Sequence, residues 1–239
     1  MFSLVVPTLN EEEFLPRLLD GVRNQFLKPT EIIIADANSK DRTREIARKY
    51  GCKIVQGGRI ALGRNNGVKA SKEKIVVMMD ADSTIPNKNF FNKIIGTFIS
   101  KNADVASCFF LPSDKRVKYE IPMAGINAVK YITHKVRWNL IIGGACIITT
   151  KEAFNKLNGF DANKRTREDN DYFNRAVKMG MKFIIIREVL RTSTRRYEKT
   201  GLRKTIILGI LGILAGIIGG GLLRKKHKKM EKKFWDNAI

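Results

Sequence analysis

The chain has 239 residues, with 45 Lys+Arg against 23 Asp+Glu and a formal net charge of +22. A hydrophobic content of 44% supplies a real core and excludes disorder throughout. Three widely spaced cysteines (Cys52, Cys108, Cys146) exclude a disulfide scaffold or a cysteine-rich zinc module, and two histidines exclude a histidine-built metal site. Any metal is therefore expected among carboxylates, as a hard cation such as Mg²⁺ or Mn²⁺.

Met1 leads straight into an apolar run over residues 2–6, read as a buried first strand with no secretory signal ahead of it. Residues 11–25 place Phe14, Leu15, Leu18, Leu19 and Val22 at helical spacing. A second buried strand ends near Ala35, a short helix covers 43–50, a third strand 53–55, a helix 61–71 and a fourth strand 74–79. Near-continuous Val/Ile runs indicate strands covered on both faces, and their alternation with helices predicts a mostly parallel sheet with right-handed crossovers. Further on, helices are predicted over 89–100, 121–138, 151–157 and 168–179, with strands over 105–111, 143–148 and 182–186.

Ligands of such sheets gather at the carboxyl ends of the strands. Polar clusters stand at those ends: Pro7-Thr8-Leu9-Asn10-Glu11, Asp36-Ala37-Asn38-Ser39 and Asp80-Ala81-Asp82-Ser83. Asp80 and Asp82, two residues apart after a strand, suit one cation completed by substrate phosphates; the plainer alternative is a turn cap. Asp36 is read as a nucleobase acceptor, whereas Ser39 and Asp41 are read as an Asx turn and helix cap. The first loop can grip a base, with Glu11 on a ribose hydroxyl, or cap its helix through Thr8 or Asn10. Glu168, Asp169 and Asp171 open a helix after Gly159-Phe160-Asp161. Acids there complement the helix dipole, and the place also suits a base that takes a proton from an acceptor.

On these residues the chain resembles the family 2, GT-A fold glycosyltransferases. The matching segments are VVPTLNEE at 5–12, IIIADANSKDRT at 32–43, GRNNG at 63–67, MMDADS at 78–83, GGACIITTKEAFNKLNGFD at 143–161 and EDNDYFNR at 168–175. The resemblance covers roughly residues 2–200 and implies metal-assisted, inverting transfer from a nucleotide-diphosphate sugar. By position it implies nucleotide contacts at Pro7, Thr8, Glu11, Asp36, Arg64 and Asp80. It implies metal ligation by Asp82 with Asp80, and a catalytic base at Asp169. Gly143, Gly144 and Glu168 fall on the acceptor or diphosphate side, with Arg195 and Arg196 able to close over the diphosphate or to form a solvated basic loop. Two departures stand out: Ala37 replaces the usual second acid, and Asn38 replaces a glycine. The Gln-x-x-Arg-Trp sequence of processive synthases is absent from the chain, which argues against a long-chain polymerase.

The expected organisation is a GT-A domain over 1–200, with a nucleotide-binding half at 1–83 and an acceptor half at 84–200. A hydrophobic helix with a basic tail follows at 201–239. Thr205–Leu223 is uncharged for 19 residues, long enough for ~28 Å as a helix, and Gly212 and Gly216 form G-x-x-x-G. Bases flank both ends, so the positive-inside rule does not orient it. Residues 201–239 carry a charge of +7, leaving +15 for the rest. The expected partners are a nucleotide-sugar donor, a lipid-linked or glycan acceptor and an anionic membrane. The expected location is the cell membrane with the catalytic domain cytoplasmic. A nucleotidyltransferase is the first alternative, but it would show a Gly-rich loop with lysine after the first strand. A basic nucleic-acid-binding module is the second, but residues 224–233 hold no aromatic side chain, so no nucleic acid is expected.

Overall fold

The apolar runs become buried strands in a computed structural model, which describes residues 1–114, 116–135, 144–164, 167–195, 198 and 201. The first half alternates β1 (Ser3–Thr8), α1 (Leu15–Arg23), β2 (Glu31–Asp36), α2 (Thr43–Lys49), β3 (Lys53–Gln56), α3 (Ile60–Ala70) and β4 (Ile75–Met79). A short β5 (Ser83–Thr84) and α4 (Phe90–Ser100) follow, then β6 (Val105–Pro112), α5 (Val117–Lys135), β7 (Cys146–Thr150), α6 (Lys151–Lys156), α7 (Glu168–Lys178) and β8 (Phe183–Thr192). Two compact units result: Met1–Phe110 with Gly143–Thr192, and Leu111–Ile142 with Ser193–Ile239. Both units are discontinuous in sequence. The expected hydrophobic helix at 205–223 lies outside the described residues. Among the described residues, no helix is long and apolar enough to cross a membrane.

Among the described residues, eight strands form one sheet in the order β3-β2-β1-β4-β7-β6-β8-β5. Strands β3, β2, β1 and β4 run parallel, as expected. The expectation of a mostly parallel sheet is corrected beyond β4. Strand β7 is antiparallel to both β4 and β6, and β5 is antiparallel to β8, so the sheet is mixed. Burial on both faces makes a strand apolar whichever way it runs, so composition does not report direction.

Side-chain alternation divides the strands between two faces. Leu4, Val6, Ile34, Val77 and Met79 join the core that α1 (Leu15, Leu18, Leu19, Val22) and α4 (Phe90, Phe91, Ile94, Ile95, Phe98) cover. Each aliphatic side chain so buried contributes about 1.5–3 kcal/mol. On the other face α3 lies close to β1, because a Cβ on Gly67 would stand 2.2 Å from Val5 Cγ1. Pro7 is tolerated inside β1 for a directional reason. The Thr8 carbonyl accepts from Ala37 N–H on the β2 side, so position 7 faces β4, and that ladder has already ended at Val5.

Several boundaries differ from expectation. Helix α1 begins at Leu15, not residue 11, because residues 11–14 form a turn in which the Glu11 carbonyl accepts from Phe14 and Leu15 N–H. Strand β8 runs on to Thr192, well past the expected 186, and its last two residues pair with β5.

Candidate active site

Register brings the polar clusters together. Thr8 and Asp36 stand opposite each other at the carboxyl ends of β1 and β2, and Asp80 follows the end of β4, the next strand over. Strand β7 starts at the same end of β4, with Met79 opposite Cys146 and Asp80 N–H donating to the Ala145 carbonyl at 3.2 Å. Gly144 immediately precedes this contact, so one of the two expected acceptor-side glycines lies at the acidic edge. Gly143 lies outside the described residues.

The first two loops interlock. Thr8 Oγ1 donates to Asp36 Oδ2 (3.0 Å), Asn10 N–H to Ser39 Oγ (2.9 Å) and Glu11 N–H to Thr43 Oγ1 (2.8 Å). Lys40 N–H donates to Asn10 Oδ1 (2.8 Å), Glu12 N–H to Asp41 Oδ2 (3.0 Å) and Arg42 N–H to Glu12 Oε2 (3.0 Å). The capping role weighed for Thr8 and Asn10 toward α1 is therefore replaced by bonds to the neighbouring loop. Asp36 also accepts from Ser39 N–H (3.0 Å) and Ser39 Oγ (2.5 Å), with Arg44 Nε 3.6 Å away. Its carboxylate is thus fixed by its own turn. Asn38 has φ +63°, a left-handed conformation that favours Gly or Asn, which accounts for asparagine where the resemblance led one to expect glycine.

Arg64 ties the second part of the site together. It is 3% exposed. Its Nη1 donates to Glu168 Oε1 at 2.7 Å and its Nη2 to Asp80 Oδ1 at 3.1 Å, so α3, the end of β4 and the start of α7 meet on one guanidinium. Burial pulls its pKa down, but Asp80, Glu168 and Asp169 together hold it above the ordinary value. Burial pushes the Glu168 carboxyl above the usual carboxylate range; Arg64 pulls it back, and the charges of Asp169 and Asp80 add to the upward push. Both directions describe one cation shared among three acids. Arg64, read by resemblance as a nucleotide contact, is enclosed by protein, and Glu168, read on the acceptor side, is its buried partner.

The turn before α7 is built with the same care. Asn65 Nδ2 donates to the Phe160 carbonyl and its Oδ1 accepts from Phe160 N–H, both at 2.8 Å. Arg175 donates to the Leu157 and Gly159 carbonyls, the latter at 2.7 Å, while its Nε reaches Asp171 Oδ2 at 2.8 Å. Gly159 has φ +66°, and a Cβ there would stand 2.6 Å from Asn65 Oδ1. Phe160 stacks on Tyr172 at 4.3 Å, and the Arg64 guanidinium carbon sits 5.6 Å from its ring centre. This explains why acids follow a Gly-Phe-Asp turn: the turn seats the aromatic floor beneath Arg64. Asp171 is spent on Arg175 and Lys164, leaving Asp169 at the opening of α7, where its Oδ1 accepts from Asn170 N–H at 2.7 Å. Sequence reasoning missed Asn65, Phe160 and Arg175. Asn65 lay inside GRNNG, next to a residue already singled out.

Asp82 Oδ1 accepts from Thr192 Oγ1 at 3.5 Å, across the β5–β8 pairing. Among the described residues no three acidic, His or Cys side chains gather tightly enough to cage a metal alone. A set of one or two carboxylates with phosphate ligands still required is the donor chemistry of Mg²⁺ and Mn²⁺ sites, and Asp80 and Asp82 match that chemistry in kind. Arg195 belongs to the other unit, is exposed, and its N–H donates to Ser193 Oγ at 3.2 Å; Arg196 lies outside the described residues. A surface depression of about 260 Å³ lies away from these residues, beside Asp104 and Met179–Met181; another of about 250 Å³ is lined by Asn65, Lys69, Asn158 and Gly159, at the turn before α7.

Comparison with known proteins agrees with this outline. The profile described as Glycosyl transferase family 2 matches residues 3–192. A 4,4'-diaponeurosporenoate glycosyltransferase of Staphylococcus haemolyticus is 32% identical over 105 residues, covering 40% of this chain and 28% of its own length. The chain spans less than half the length of this and other curated relatives it matches. The structure of a mannosyltransferase from Pyrobaculum calidifontis, in complex with GDP-Man and Mn²⁺, superposes with TM-score 0.71 at 20% identity, covering 98% of this chain and 69% of that one. Glucosyl-3-phosphoglycerate synthase from Mycobacterium tuberculosis, with Mn²⁺, UDP and glucosyl-3-phosphoglycerate, superposes with TM-score 0.61 at 17% identity, covering 90% and 79%. With its mixed GT-A-like sheet, its strand-end acids and a family match over most of its length, the chain belongs to glycosyl transferase family 2.

Proposed function

We propose that this protein is a glycosyltransferase that moves a sugar, with inversion, from a nucleotide-diphosphate donor to a hydroxyl or lipid-phosphate acceptor at a membrane. One observation carries the reading: Arg64 gathers Asp80 and Glu168 at the carboxyl edge of the parallel strands, with Asp169 beside them. Three acids around one buried arginine leave a surplus of negative charge that a divalent cation offsets. The donors named with the Pyrobaculum and Mycobacterium structures, GDP-Man and UDP, support a nucleoside-diphosphate ligand, and their Mn²⁺ supports the metal.

In this reading the loops at Pro7–Glu11 and Asp36–Ser39, locked to each other, hold the nucleoside. Asp80 and Asp82 hold Mg²⁺ or Mn²⁺, which when bound offsets the charge gathering on the leaving diphosphate. Asp169 takes the proton from an acceptor hydroxyl as its oxygen attacks the anomeric carbon. Glu168 holds Arg64, and Arg64 positions Asp80. Gly144 leaves room for the acceptor. The apolar segment 205–223 with its basic flanks attaches the protein to the cell membrane, with the catalytic domain on the cytoplasmic side.

The test uses a panel of nucleotide sugars with Mn²⁺, read first as thermal stabilisation and then as donor hydrolysis or transfer. Asp82→Ala is expected to lose the Mn²⁺-dependent stabilisation, and Asp169→Asn to keep donor binding while losing transfer to a hydroxyl acceptor. Metal-dependent binding that survives Asp82→Ala undamaged would remove the metal assignment.

A further inference from the structure

Helix α5 is built inside out. Its inward positions are Tyr119, Met123, Asn127, Lys130 and Thr133, each less than a tenth exposed, with Lys130 at 1%. The outward positions are Val117, Ile121, Ala124, Gly125, Ala128 and Ile132. Val117, Ile121 and Ile132 are 66%, 68% and 58% exposed. At ~100° per residue the outward set occupies an arc of about 100°, opposite the buried set. The stripe is ~23 Å long at ~1.5 Å per residue. Water on that face is unfavourable: each exposed aliphatic side chain forgoes about 1.5–3 kcal/mol of burial. Polar groups turned inward with apolar groups turned outward is the arrangement expected where the outer medium is hydrocarbon.

We infer that the outward face of α5 docks onto the surface of an anionic lipid bilayer, lying in the interface and not spanning it. Charge on that face agrees. Lys118 is the one charged side chain among the described exposed positions of α5; Arg116, just before the helix, is paired with Asp114 and Glu198 and adds no net positive charge. Neither an aspartate nor a glutamate is among those exposed positions of α5. Continuity agrees as well. The described chain ends at residue 201, in the same compact unit as α5, and the uncharged run begins at Thr205. The chain as a whole carries a net charge of +22, which favours its approach to acidic headgroups. This inference rests on the membrane attachment proposed above and adds a second contact to it.

The test uses the full chain with single cysteines introduced as Ile121→Cys, Ile132→Cys and, as a control on the other unit, Lys49→Cys. The native cysteines are all buried, so a polarity-sensitive fluorophore attaches at the introduced site. Vesicles contain phosphatidylglycerol and phosphatidylcholine, with or without quencher-bearing acyl chains. The expected result is a blue shift and acyl-chain quenching at residues 121 and 132, and neither at 49. Co-sedimentation with vesicles while residues 121 and 132 stay water-like overturns the role of α5 and leaves attachment through 205–223 standing. Shielding at 121 and 132 without vesicles, with a doubled mass, overturns lipid as the occupant in favour of a second copy of the chain. Absence of co-sedimentation overturns both this inference and the membrane attachment, but not the transfer chemistry, which soluble donors report.

Discussion

Replacing Arg64 with methionine keeps an unbranched side chain of similar length and removes the charge that α3 extends to Asp80 and Glu168. At separations of 3.1 and 2.7 Å the gross attraction is about 5 and about 6 kcal/mol at an effective dielectric of about 20. Much of that offsets desolvation of a guanidinium that is 3% exposed. The net quantity is the cost of stranding Glu168, itself buried, without its counter-ion, about 3–5 kcal/mol. That corresponds to a loss in the folding constant between about a hundredfold and a few thousandfold. At about 2–4 °C per kcal/mol for a domain of this size, the melting temperature should fall by about 6–20 °C. Urea denaturation followed by circular dichroism measures the free-energy loss, and a thermal scan measures the fall in melting temperature. A double variant, Arg64→Met with Glu168→Gln, should recover a large part of the loss, because the stranded charge is gone. A single-variant loss under about 1 kcal/mol, or simple additivity in the double variant, refutes the view that one buried cation holds these acids together.

Gly67→Ala forces a methyl group against Val5 and should cost about 1–3 kcal/mol by urea denaturation; an unchanged midpoint would mean that α3 can lift off β1 freely. Asn65→Ala removes both hydrogen bonds to Phe160 and should cost about 1–3 kcal/mol, with hydrogen exchange accelerating at Phe160 N–H. The pH dependence of stability should contain two opposite slopes. Glu168 has a raised pKa in the folded state, so its favourable contribution is present below its ordinary 4.5 and is lost as pH rises through the folded value. Glu168→Gln should therefore flatten a decline in stability that begins near pH 4.5. Asp41 is nudged up by burial but lowered on balance by hydrogen bonds from Thr43 and Glu12. Its contribution stands above 3.8 and disappears as pH falls through the folded value, so Asp41→Asn should reduce acid sensitivity in that range. Denaturation curves collected across that pH interval check both signs.

Strand-end acids were legible in the sequence because hydrophobic runs mark buried strands, and the chain must turn where each run stops. That logic placed Asp36 and Asp80 at the carboxyl ends of neighbouring parallel strands, where register brings them to one edge. It also found the helix that opens with Glu168 and Asp169. Periodicity misplaced the start of α1, since Phe14 and Leu15 continue an apolar pattern whether or not the preceding residues are helical. Pro122 similarly hid the first turn of α5, which begins at Val117 and carries that proline in its second turn.

What the sequence determined by itself was the order of the elements, the parallel half of the sheet and the family to which the motifs point. Each of these depends on spacing along one chain. The tertiary structure alone decided the direction of β7, the enclosure of Arg64 between Asp80 and Glu168, the grip of Asn65 and Arg175 on the turn before α7, and the inverted faces of α5. Those features join residues as far as 104 positions apart. Local pattern carries no record of which distant partner will neutralise a buried charge, because that choice is made only when desolvation brings the two together.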